Sequence, residues 1–296
     1  MKILVTGAGG QLGYDVVREL NRLGIECCGT DLQDFDITNL TAVRNFITKY
    51  KPSAVIHCSA YTAVDKAEDE PSICYKVNAT GTENIAMICR EINAKMLYIS
   101  TDYVFEGTGE KCYEPDDKPA PQNVYGQTKL AGELAVQKIL DRYFIVRISW
   151  VFGINGNNFV KTMLRVGKEK KEISVVVDQV GSPTYTSDLA ILLCDIIQTE
   201  KYGIYHATNE GTCSWAEFAE KIFWLAGMNV KVKPIKTEEY PTKAKRPHNS
   251  RMSKEKLLQQ GFNKLPDWEN ALERYFIELE HFDDIIITNI REKLEK

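Results

Sequence analysis

Hydrophobic positions follow two different spacings along the first half of the chain. Short, continuous apolar runs are typical of buried strands, whereas apolar residues that recur every three or four positions are typical of one face of a helix. The two patterns alternate, which predicts a doubly wound, mostly parallel α/β sheet with helices on both faces. The predicted strands cover residues 2–5, 25–30, 54–57, 96–100 and 144–148, and the predicted helices lie near 16–23, 39–50, 72–92 and 126–141.

The second half of the chain predicts a smaller α/β region that is interwoven with the first. Ser214 and Glu217 have the spacing of a capping box at the start of a helix. We expect a first domain over residues 1–153, to which 173–207 partly returns, and a second region over 154–296. The predicted elements of this half are a helix over 156–170, a strand over 173–177, a strand over 202–206 that returns to the main sheet, and a capped helix that ends near residue 226.

Composition and charge exclude several classes of protein. With 296 residues and 44% hydrophobic content the chain can bury a full core, and its 37 basic and 41 acidic residues give a net charge of −4. This balance gives no electrostatic reason to expect nucleic acid or an anionic membrane as a partner. No apolar stretch approaches the roughly 20 residues that cross a bilayer, and the chain starts with a strand rather than a signal peptide. A cytoplasmic location is therefore expected.

Cysteine and histidine give no evidence of a metal site. The eight cysteines are scattered through apolar segments and never form Cys-x-x-Cys, so we predict neither a zinc site nor a disulfide framework. His57 and His206 are embedded in predicted strands and are interpreted as core residues rather than as catalytic bases.

A glycine-rich turn joins the first predicted strand to the first predicted helix. Gly7, Gly10 and Gly13 of this turn are spaced more widely than the glycines of Gly-x-Gly-x-x-Gly. Between a strand and a helix, such a turn lets the backbone approach a pyrophosphate and directs free N–H groups of the helix toward it. The context predicts a dinucleotide site on a Rossmann-type sheet. The alternative is a glycine-rich turn that binds nothing.

Asp31 ends the second predicted strand, about 20 residues beyond the glycines. A carboxylate in this position can accept hydrogen bonds from the adenosine ribose hydroxyls and would repel a 2′-phosphate. No arginine adjoins Asp31, so the sequence favours NADH over NADPH. The alternative is an ordinary solvated aspartate in a turn.

Polar residues follow several of the predicted strands. In a sheet of this kind, ligands collect at the carboxyl ends of the strands, so segments that are distant in sequence meet in one crevice. The segments expected to converge there are 60–62, 100–102 and 149–150.

Tyr125 and Lys129 are four residues apart on a predicted helix, so they share one face. A phenol has an ordinary pKa of about 10, and an adjacent ammonium group would lower it. A tyrosine tuned in this way could donate a proton to a carbonyl oxygen while hydride reaches the carbon, with the Thr101 hydroxyl holding that oxygen. Alone, Tyr-x-x-x-Lys is a common accident of helix composition. Together with the glycine turn and Thr101, it predicts a nicotinamide-dependent site for carbonyl reduction.

Several further stretches identify a family. Residues 60–68, 100–105, 147–153, 178–184 and 246–250 occur in an order that resembles the dTDP-4-dehydrorhamnose reductases of the extended short-chain dehydrogenase/reductase superfamily. The resemblance covers nearly the whole chain. It implies reduction of the 4-keto group of dTDP-4-dehydro-L-rhamnose to dTDP-L-rhamnose, with NADH or NADPH as hydride donor.

The resemblance also implies individual roles. Thr101, Tyr125 and Lys129 would form the catalytic set, with Tyr125 as proton donor and Lys129 also binding the nicotinamide ribose. Asp102 and Trp150 would hold the deoxysugar nucleotide. The remaining implied cofactor contacts are Gly10, Gln11 and Leu12 to the pyrophosphate, Asp31 to the ribose, Asp36 and Ile37 to the adenine, and Ala60, Tyr61 and Thr62 to the central part of the dinucleotide.

Two other functions stay open. A sugar-nucleotide epimerase of the same superfamily would use the same tyrosine and lysine but would show no net consumption of NADH. A non-catalytic regulatory subunit could be built on this fold, although it would have no physical need for the Thr101, Tyr125 and Lys129 set.

Three features at the edges of the resemblance give weaker expectations. Arg246 belongs to a basic, proline-containing loop and is expected to face the substrate diphosphate, with a solvated basic loop as the alternative. Asp15 could contribute to a magnesium site of the kind some relatives have at a subunit contact, but the other ligands cannot be mapped, and no metal site is assigned. The tail over 281–296 could form an apolar helical stripe against its own domain or a second subunit, which makes a homodimer possible.

Overall fold

The computed structural model describes residues 1–282. The strands are β1 (Lys2–Thr6), β2 (Glu26–Thr30), β3 (Ala54–His57), β4 (Lys95–Thr101), β5 (Tyr143–Ile148), β6 (Val151–Phe152), β7 (Glu172–Val176), β8 (Val180–Gly181), β9 (Thr184–Tyr185), β10 (Gly203–His206), β11 (Cys213–Ser214), β12 (Lys231–Ile235) and β13 (Asn249–Ser250). The helices are α1 (Gln11–Arg22), α2 (Leu40–Tyr50), α3 (Val64–Asp69), α4 (Pro71–Tyr75), α5 (Thr82–Glu91), α6 (Val124–Ile139), α7 (Phe159–Glu169), α8 (Thr186–Ile197), α9 (Trp215–Leu225), α10 (Glu255–Gln259) and α11 (Trp268–Phe282), with a π-helical turn at Lys76–Gly81 and 3₁₀ turns at Asp102–Val104 and Thr237–Glu239.

Six strands form one parallel sheet in the order β10-β5-β4-β3-β1-β2. Its apolar runs are buried on both faces, as expected for a parallel sheet covered by helices. Helices α1 and α8 share one hydrophobic cluster with the sheet, and α2, α5 and α6 share another. The prediction of a doubly wound, mostly parallel Rossmann-type sheet is confirmed. The order of winding reverses between β1 and β3, which is where such sheets bind ligands.

The helical pattern predicted near 72–92 is one continuous helical segment with a π-helical turn inside it. Helix α4 leads into the turn at Lys76–Gly81, and α5 continues from it. A π-helical turn inserts an extra residue and often marks a functional site. The periodicity of the sequence could not predict it, because the turn depends on what the segment packs against.

The second region has a core of its own. Strands β7 and β12 pair in parallel, and α7, α9 and α11 pack with them in a cluster rich in aromatic side chains. The capping box is present, since the Ser214 side chain accepts from the Glu217 backbone N–H and the Glu217 carboxylate accepts from the Ser214 backbone N–H. The segment that returns to the main sheet begins with α8 and ends with β10, which pairs with β5.

Both strand histidines are buried. His57 lies between the hydroxyls of Thr6 (2.6 Å) and Thr82 (3.1 Å), and burial lowers its pKa to about 3. His206 is also buried, and burial together with Arg147 lowers its pKa. Both rings therefore stay neutral near pH 7, in agreement with their interpretation as core residues.

No described helix is both long enough and apolar enough to cross a membrane. The apolar stripe expected in the tail falls mainly on residues 283–296, which lie outside the described residues.

Candidate active site

A cavity of about 580 Å³ opens at the carboxyl ends of β1 to β5. It contains the three strand-end segments that were expected to converge, together with the glycine turn and the first turns of α6. Of the predicted site residues, Arg246 alone does not line it. The predicted residues in its wall are Gly7, Gly10, Gln11, Leu12, Gly13, Asp31, Asp36, Ile37, Ala60, Tyr61, Thr62, Thr101, Asp102, Tyr125, Lys129 and Trp150.

The glycine turn is shaped by close backbone contacts. Gly7 has φ +70°, a left-handed conformation that favours glycine, and its backbone packs against Ser59. A Cβ at Gly13 would lie 2.1 Å from the Gly7 carbonyl oxygen. Only glycine allows this approach, which holds the start of α1 against the turn. The first residues of α1 face the cavity, so its N-terminal N–H groups and positive dipole end can receive an anion such as a pyrophosphate.

Asp31 lies at the rim of the same cavity. One carboxylate oxygen accepts the Gly9 backbone N–H at 2.9 Å, and the other accepts the Leu32 N–H at 2.8 Å. The carboxylate therefore fixes the glycine turn as well as facing the cavity. Asp36 and Ile37 follow in the wall, and the Ile37 carbonyl accepts a hydrogen bond from the Asn84 amide at 2.9 Å.

Asn78, in the π-helical turn, holds the segment 60–62 in place. Its side-chain oxygen accepts the Tyr61 N–H at 2.8 Å, and its amide donates to the Tyr61 carbonyl at 3.1 Å and to the Thr128 hydroxyl at 3.1 Å. It is fully buried. Asn78 thus links the cavity wall to α6, a role that the sequence analysis missed.

Helix α6 carries Tyr125 and Lys129 into the cavity. Asn123 caps it by accepting the Gly126 N–H at 2.8 Å. A Cβ at Gly126 would lie 2.2 Å from the Tyr103 carbonyl oxygen, so glycine allows the first turn of α6 to approach the 3₁₀ turn after β4. This contact brings the tyrosine beside the end of β4, where Thr101 lies.

The electrostatics of the pair differ from the sequence-based expectation. Burial raises the pKa of Tyr125 above its ordinary value, a hydrogen bond with Thr101 opposes this shift, and Asp102 adds to it. Burial lowers the pKa of Lys129 to about 7, while Glu133 opposes that shift. The expectation that Lys129 lowers the pKa of Tyr125 is wrong for this structure. The lysine is itself desolvated, and its Nζ donates to the Ile99 carbonyl at 2.7 Å.

Glu133 follows Lys129 by four residues, so it lies on the same face of α6 as Tyr125 and Lys129, one helical turn further along. It is buried and forms a two-pronged ion pair with Arg147 on β5, at 2.9 Å and 2.7 Å. Arg147 also donates to the Pro115 carbonyl at 3.0 Å. The pair fixes α6 against the sheet at the level of the lysine. The sequence analysis missed Glu133, although its spacing of four residues from Lys129 was visible.

Thr101 and Asp102 are joined to a residue from the far end of the chain. The Thr101 hydroxyl donates to one oxygen of Asp102 at 2.9 Å, and the Ser250 hydroxyl donates to the other at 2.5 Å. All three side chains are buried. Ser250 on β13 was not predicted as part of the site, and no local sequence signal identifies it.

Trp150 has a strained backbone at the edge of the cavity. Its φ of +49° is in the left-handed region that bulky residues rarely adopt. The indole stacks on Trp215 with ring centroids 3.7 Å apart, and it contacts the position where a Cβ of Gly181 would be. With this backbone conformation Trp150 lines the cavity, and its ring offers an apolar surface there.

Arg246 is engaged away from the cavity. Its guanidinium makes two hydrogen bonds to Asp65, at 3.0 Å and 2.7 Å, and it lines a shallow surface pocket of about 280 Å³ formed by residues 237–248. The predicted partner of this arginine was a diphosphate, but in the structure its partner is Asp65. The two residues are 181 positions apart in sequence, so the pair could not be read from local sequence.

Asp15 is buried. Among the described residues, no group of three or more histidine, cysteine or acidic side chains is arranged to hold a metal ion. Asp15 instead accepts a hydrogen bond from the Thr186 hydroxyl at 2.5 Å and lies 3.3 Å from Arg18. Burial raises its pKa to about 6.

Comparison with known proteins identifies the family. The model described as RmlD substrate binding domain matches residues 1–281. The chain belongs to this family. A relative named dTDP-4-dehydrorhamnose reductase from Shigella flexneri is 40% identical over 94% of this chain and 98% of its own.

Solved structures agree with this assignment. A dTDP-4-dehydrorhamnose reductase from Clostridium acetobutylicum aligns with a TM-score of 0.93 and 45% identity over 95% of this chain and 100% of its own. A dTDP-4-dehydrorhamnose reductase from Bacillus anthracis, in complex with NADP, aligns with a TM-score of 0.92 and 48% identity over 94% of this chain and 100% of its own.

Proposed function

We propose that this protein reduces the 4-keto group of dTDP-4-dehydro-L-rhamnose to give dTDP-L-rhamnose, with a nicotinamide dinucleotide as hydride donor. The proposal rests on one cavity. Its wall contains both the glycine turn, which can receive a pyrophosphate, and the side chains of Thr101, Tyr125 and Lys129. The family relatives bearing the name of this activity support the substrate.

The shape of the cavity supports a dinucleotide as the cofactor. The turn at Gly7 and Gly13 excludes side chains, and the N-terminus of α1 faces the space beside it, so a pyrophosphate fits there. The adenosine would lie toward Asp31, Asp36 and Ile37, and the central part toward 60–62. In this proposal residues 1–153 bind the cofactor and also supply Asp102 and Trp150 to the sugar. The region 154–296 is mainly substrate-binding, with Arg246 as the proposed contact to the substrate diphosphate.

Tyr125 acts as the proton donor. When bound, the nicotinamide supplies a hydride to the keto carbon. A donor must keep its own proton until negative charge develops on the substrate oxygen, and the raised pKa of Tyr125 ensures that its phenol is protonated at neutral pH. The Thr101 hydroxyl positions that oxygen, and Lys129 binds the nicotinamide ribose. Asp102 and the Trp150 ring hold the deoxysugar, whose methyl group suits an apolar wall.

Asp31 gives a preference for NADH over NADPH. Its carboxylate would lie beside the adenosine ribose and repel a 2′-phosphate. We expect Asp31→Asn to raise kcat/KM for NADPH relative to NADH by about fivefold, since one unfavourable charge contact at an exposed site is worth about 1 kcal/mol. Steady-state kinetics with both cofactors measure the ratio. An unchanged ratio would contradict the assigned role of Asp31.

Cofactor stoichiometry tests the reaction itself. Mixed with dTDP-4-dehydro-L-rhamnose, the protein should oxidise one NADH per sugar nucleotide consumed, followed by the loss of absorbance at 340 nm. An epimerase of the same superfamily would convert the sugar with no net consumption of NADH. A non-catalytic subunit would do neither.

A further inference from the structure

Thr101, Asp102 and Ser250 form a closed set of hydrogen bonds beside Tyr125. Thr101 and Ser250 each donate to a different oxygen of the Asp102 carboxylate, at 2.9 Å and 2.5 Å. The Thr101 oxygen also accepts the Tyr103 backbone N–H at 3.2 Å. The side chains of Thr101, Asp102 and Ser250 are between 1% and 4% exposed, so water does not replace these bonds.

The Thr101 hydroxyl can donate a hydrogen bond to only one partner at a time. A hydroxyl has a single proton to donate. In this structure that proton goes to Asp102, so the Thr101 oxygen can only accept from its other neighbours, as it does from the Tyr103 backbone N–H. A carbonyl oxygen that gains negative charge needs donors. While Asp102 is ionised, Thr101 is therefore oriented to serve the carboxylate and not the substrate.

We propose that Asp102 controls the direction in which Thr101 donates, so that Thr101 serves the substrate oxygen only when Asp102 carries a proton, and that Ser250 sets how readily Asp102 takes one up. This inference rests on the proposed function, because it concerns the same keto oxygen. It makes Ser250 a positioning residue, which acts through Asp102 and Thr101.

The surroundings of Asp102 bring its pKa into the pH range over which the reaction rate can be measured. The groups that face it are Thr101 from β4, Tyr103 from the 3₁₀ turn, Tyr125 from α6 and Ser250 from β13. Burial raises the pKa of Asp102 to about 6, while the hydrogen bonds from Ser250 and Thr101 lower it. Loss of the Ser250 hydroxyl should therefore raise the pKa of Asp102 further.

The step balances in protons and electrons. With Asp102 protonated, its O–H donates to the Thr101 oxygen, and the Thr101 proton is free to point at the substrate. The hydride forms the new C–H bond, the C=O π electrons move to the oxygen, and that oxygen takes the proton of Tyr125. Thr101 and Asp102 keep their own protons throughout, so neither is consumed.

The test compares the pH dependence of hydride transfer in wild type, Ser250→Ala and Asp102→Asn. Single-turnover rates are measured from pH 5 to 9 with saturating NADH and dTDP-4-dehydro-L-rhamnose. The wild-type rate should fall by about 10²-fold or more as Asp102 ionises, the usual effect of losing one donor to a developing oxyanion. Ser250→Ala should move the midpoint of this fall upward by about one pH unit. Asp102→Asn, whose amide can donate permanently to Thr101, should remove the part of the fall that Asp102 causes and leave only that of Lys129.

Lys129 titrates in the same range, because burial lowers its pKa to about 7. The difference between wild type and Ser250→Ala therefore decides the test, and the shape of either profile does not. Ser182→Ala is the matched control. Ser182 is also buried, and its hydroxyl donates to the Gly211 carbonyl at 2.6 Å, so its loss should leave the midpoint unchanged.

A second readout needs no turnover. The infrared carboxyl band of Asp102, identified by its loss in Asp102→Asn, follows its protonation in the free protein. A midpoint that Ser250→Ala leaves unmoved in this titration overturns the inference, whether or not the sugar nucleotide is reduced. A Ser250→Ala rate that is lowered equally at every pH also overturns it. Absence of turnover by the wild type at every pH would instead contradict the proposed function.

Discussion

At the scale of single residues, the sequence identified most of the cavity wall but not its electrostatics. Tyr125 and Lys129 lie where their spacing places them, yet the lysine does not lower the pKa of the tyrosine. Desolvation dominates both groups, and its size depends on how completely other segments cover them. A raised pKa suits an acid that must hold its proton, so the structure replaces one explanation for Tyr125 as proton donor with another.

The residues missed at this scale act through distant partners. Asn78 contacts residues 17 and 50 positions away, and Ser250 contacts Asp102 across 148 positions. The pairing of Arg246 with Asp65 also spans 181 positions, so it could not be inferred from local sequence. The side chains that were predicted from a strand end or from helical spacing do line the cavity. A strand end or a helical spacing fixes the direction of a side chain as well as its position in the sequence.

The glycine turn allows folding to be separated from cofactor binding. A Cβ at Gly13 would meet the Gly7 carbonyl at 2.1 Å, whereas a Cβ at Gly10 has no neighbour closer than 3.3 Å. We expect Gly13→Ala to lower the thermal midpoint markedly. Gly10→Ala should leave the midpoint within a few degrees and weaken NADH binding by tenfold or more, because its methyl group would occupy the space of the pyrophosphate.

Thermal unfolding and fluorescence titration with NADH measure these two effects. Equal loss of stability in both variants would contradict the distinction. So would full cofactor affinity in Gly10→Ala.

At the scale of elements, predictions were accurate where the apolar pattern was continuous. Strand β3 has the predicted bounds 54–57, and β4 and β5 differ from prediction by one residue at their ends. Buried parallel strands are uniformly apolar, so their limits are sharp. The helix predicted over 156–170 begins at Phe159, because Asn158 caps it by accepting the Lys161 N–H at 2.9 Å.

Helix α6 depends on one buried ion pair for its position. Glu133→Ala would leave Arg147 buried without its carboxylate, and breaking a buried pair in this way costs about 3–5 kcal/mol. We expect a loss of this size in the free energy of unfolding, measured by urea denaturation. The activity of the folded fraction should also fall, because Glu133 supports the charge of Lys129 one turn away.

The exposed pair of Arg44 and Glu91 provides the control. Arg44→Ala should cost less than about 1 kcal/mol, since both side chains are more than 40% exposed. A Glu133→Ala variant no less stable than Arg44→Ala would show that the buried pair does not fix α6.

At the scale of the whole molecule, the sequence predicted two regions, and the structure shows how they meet. Residues of the second region reach the first through Ser250, which bonds to Asp102, through Trp215, which stacks on Trp150, and through the return of α8 and β10 to the main sheet. Such contacts depend on the complete fold. The fold class could therefore be predicted from the sequence, whereas contacts to the site from distant segments, such as that of Ser250, could not.

Asp15 makes the stability of the whole fold depend on pH. Its pKa is raised from 3.8 to about 6 in the folded protein, so folding favours its protonated form. The stability that this provides is present below the unfolded pKa of about 4 and is lost as pH rises through about 6, by up to about 3 kcal/mol. We therefore expect Asp15→Asn to gain stability relative to wild type between pH 4 and pH 7.

Urea denaturation of both proteins across this range measures the difference. Asp65 and Glu70, whose pKa values are lowered by their partners, act in the opposite direction in both proteins and cancel in the comparison. A difference between the two proteins that does not change with pH would contradict this role for Asp15.

The central claim is that Tyr125 donates the proton while hydride reaches the keto carbon of the sugar nucleotide. Single-turnover reduction of dTDP-4-dehydro-L-rhamnose with NADH deuterated at nicotinamide C4 tests it most directly, in wild type and Tyr125→Phe. We predict a product with one deuterium at sugar C4, and a rate at least about 10²-fold lower in Tyr125→Phe with NADH affinity unchanged. A product without deuterium, or a Tyr125→Phe rate equal to that of wild type, would contradict the account.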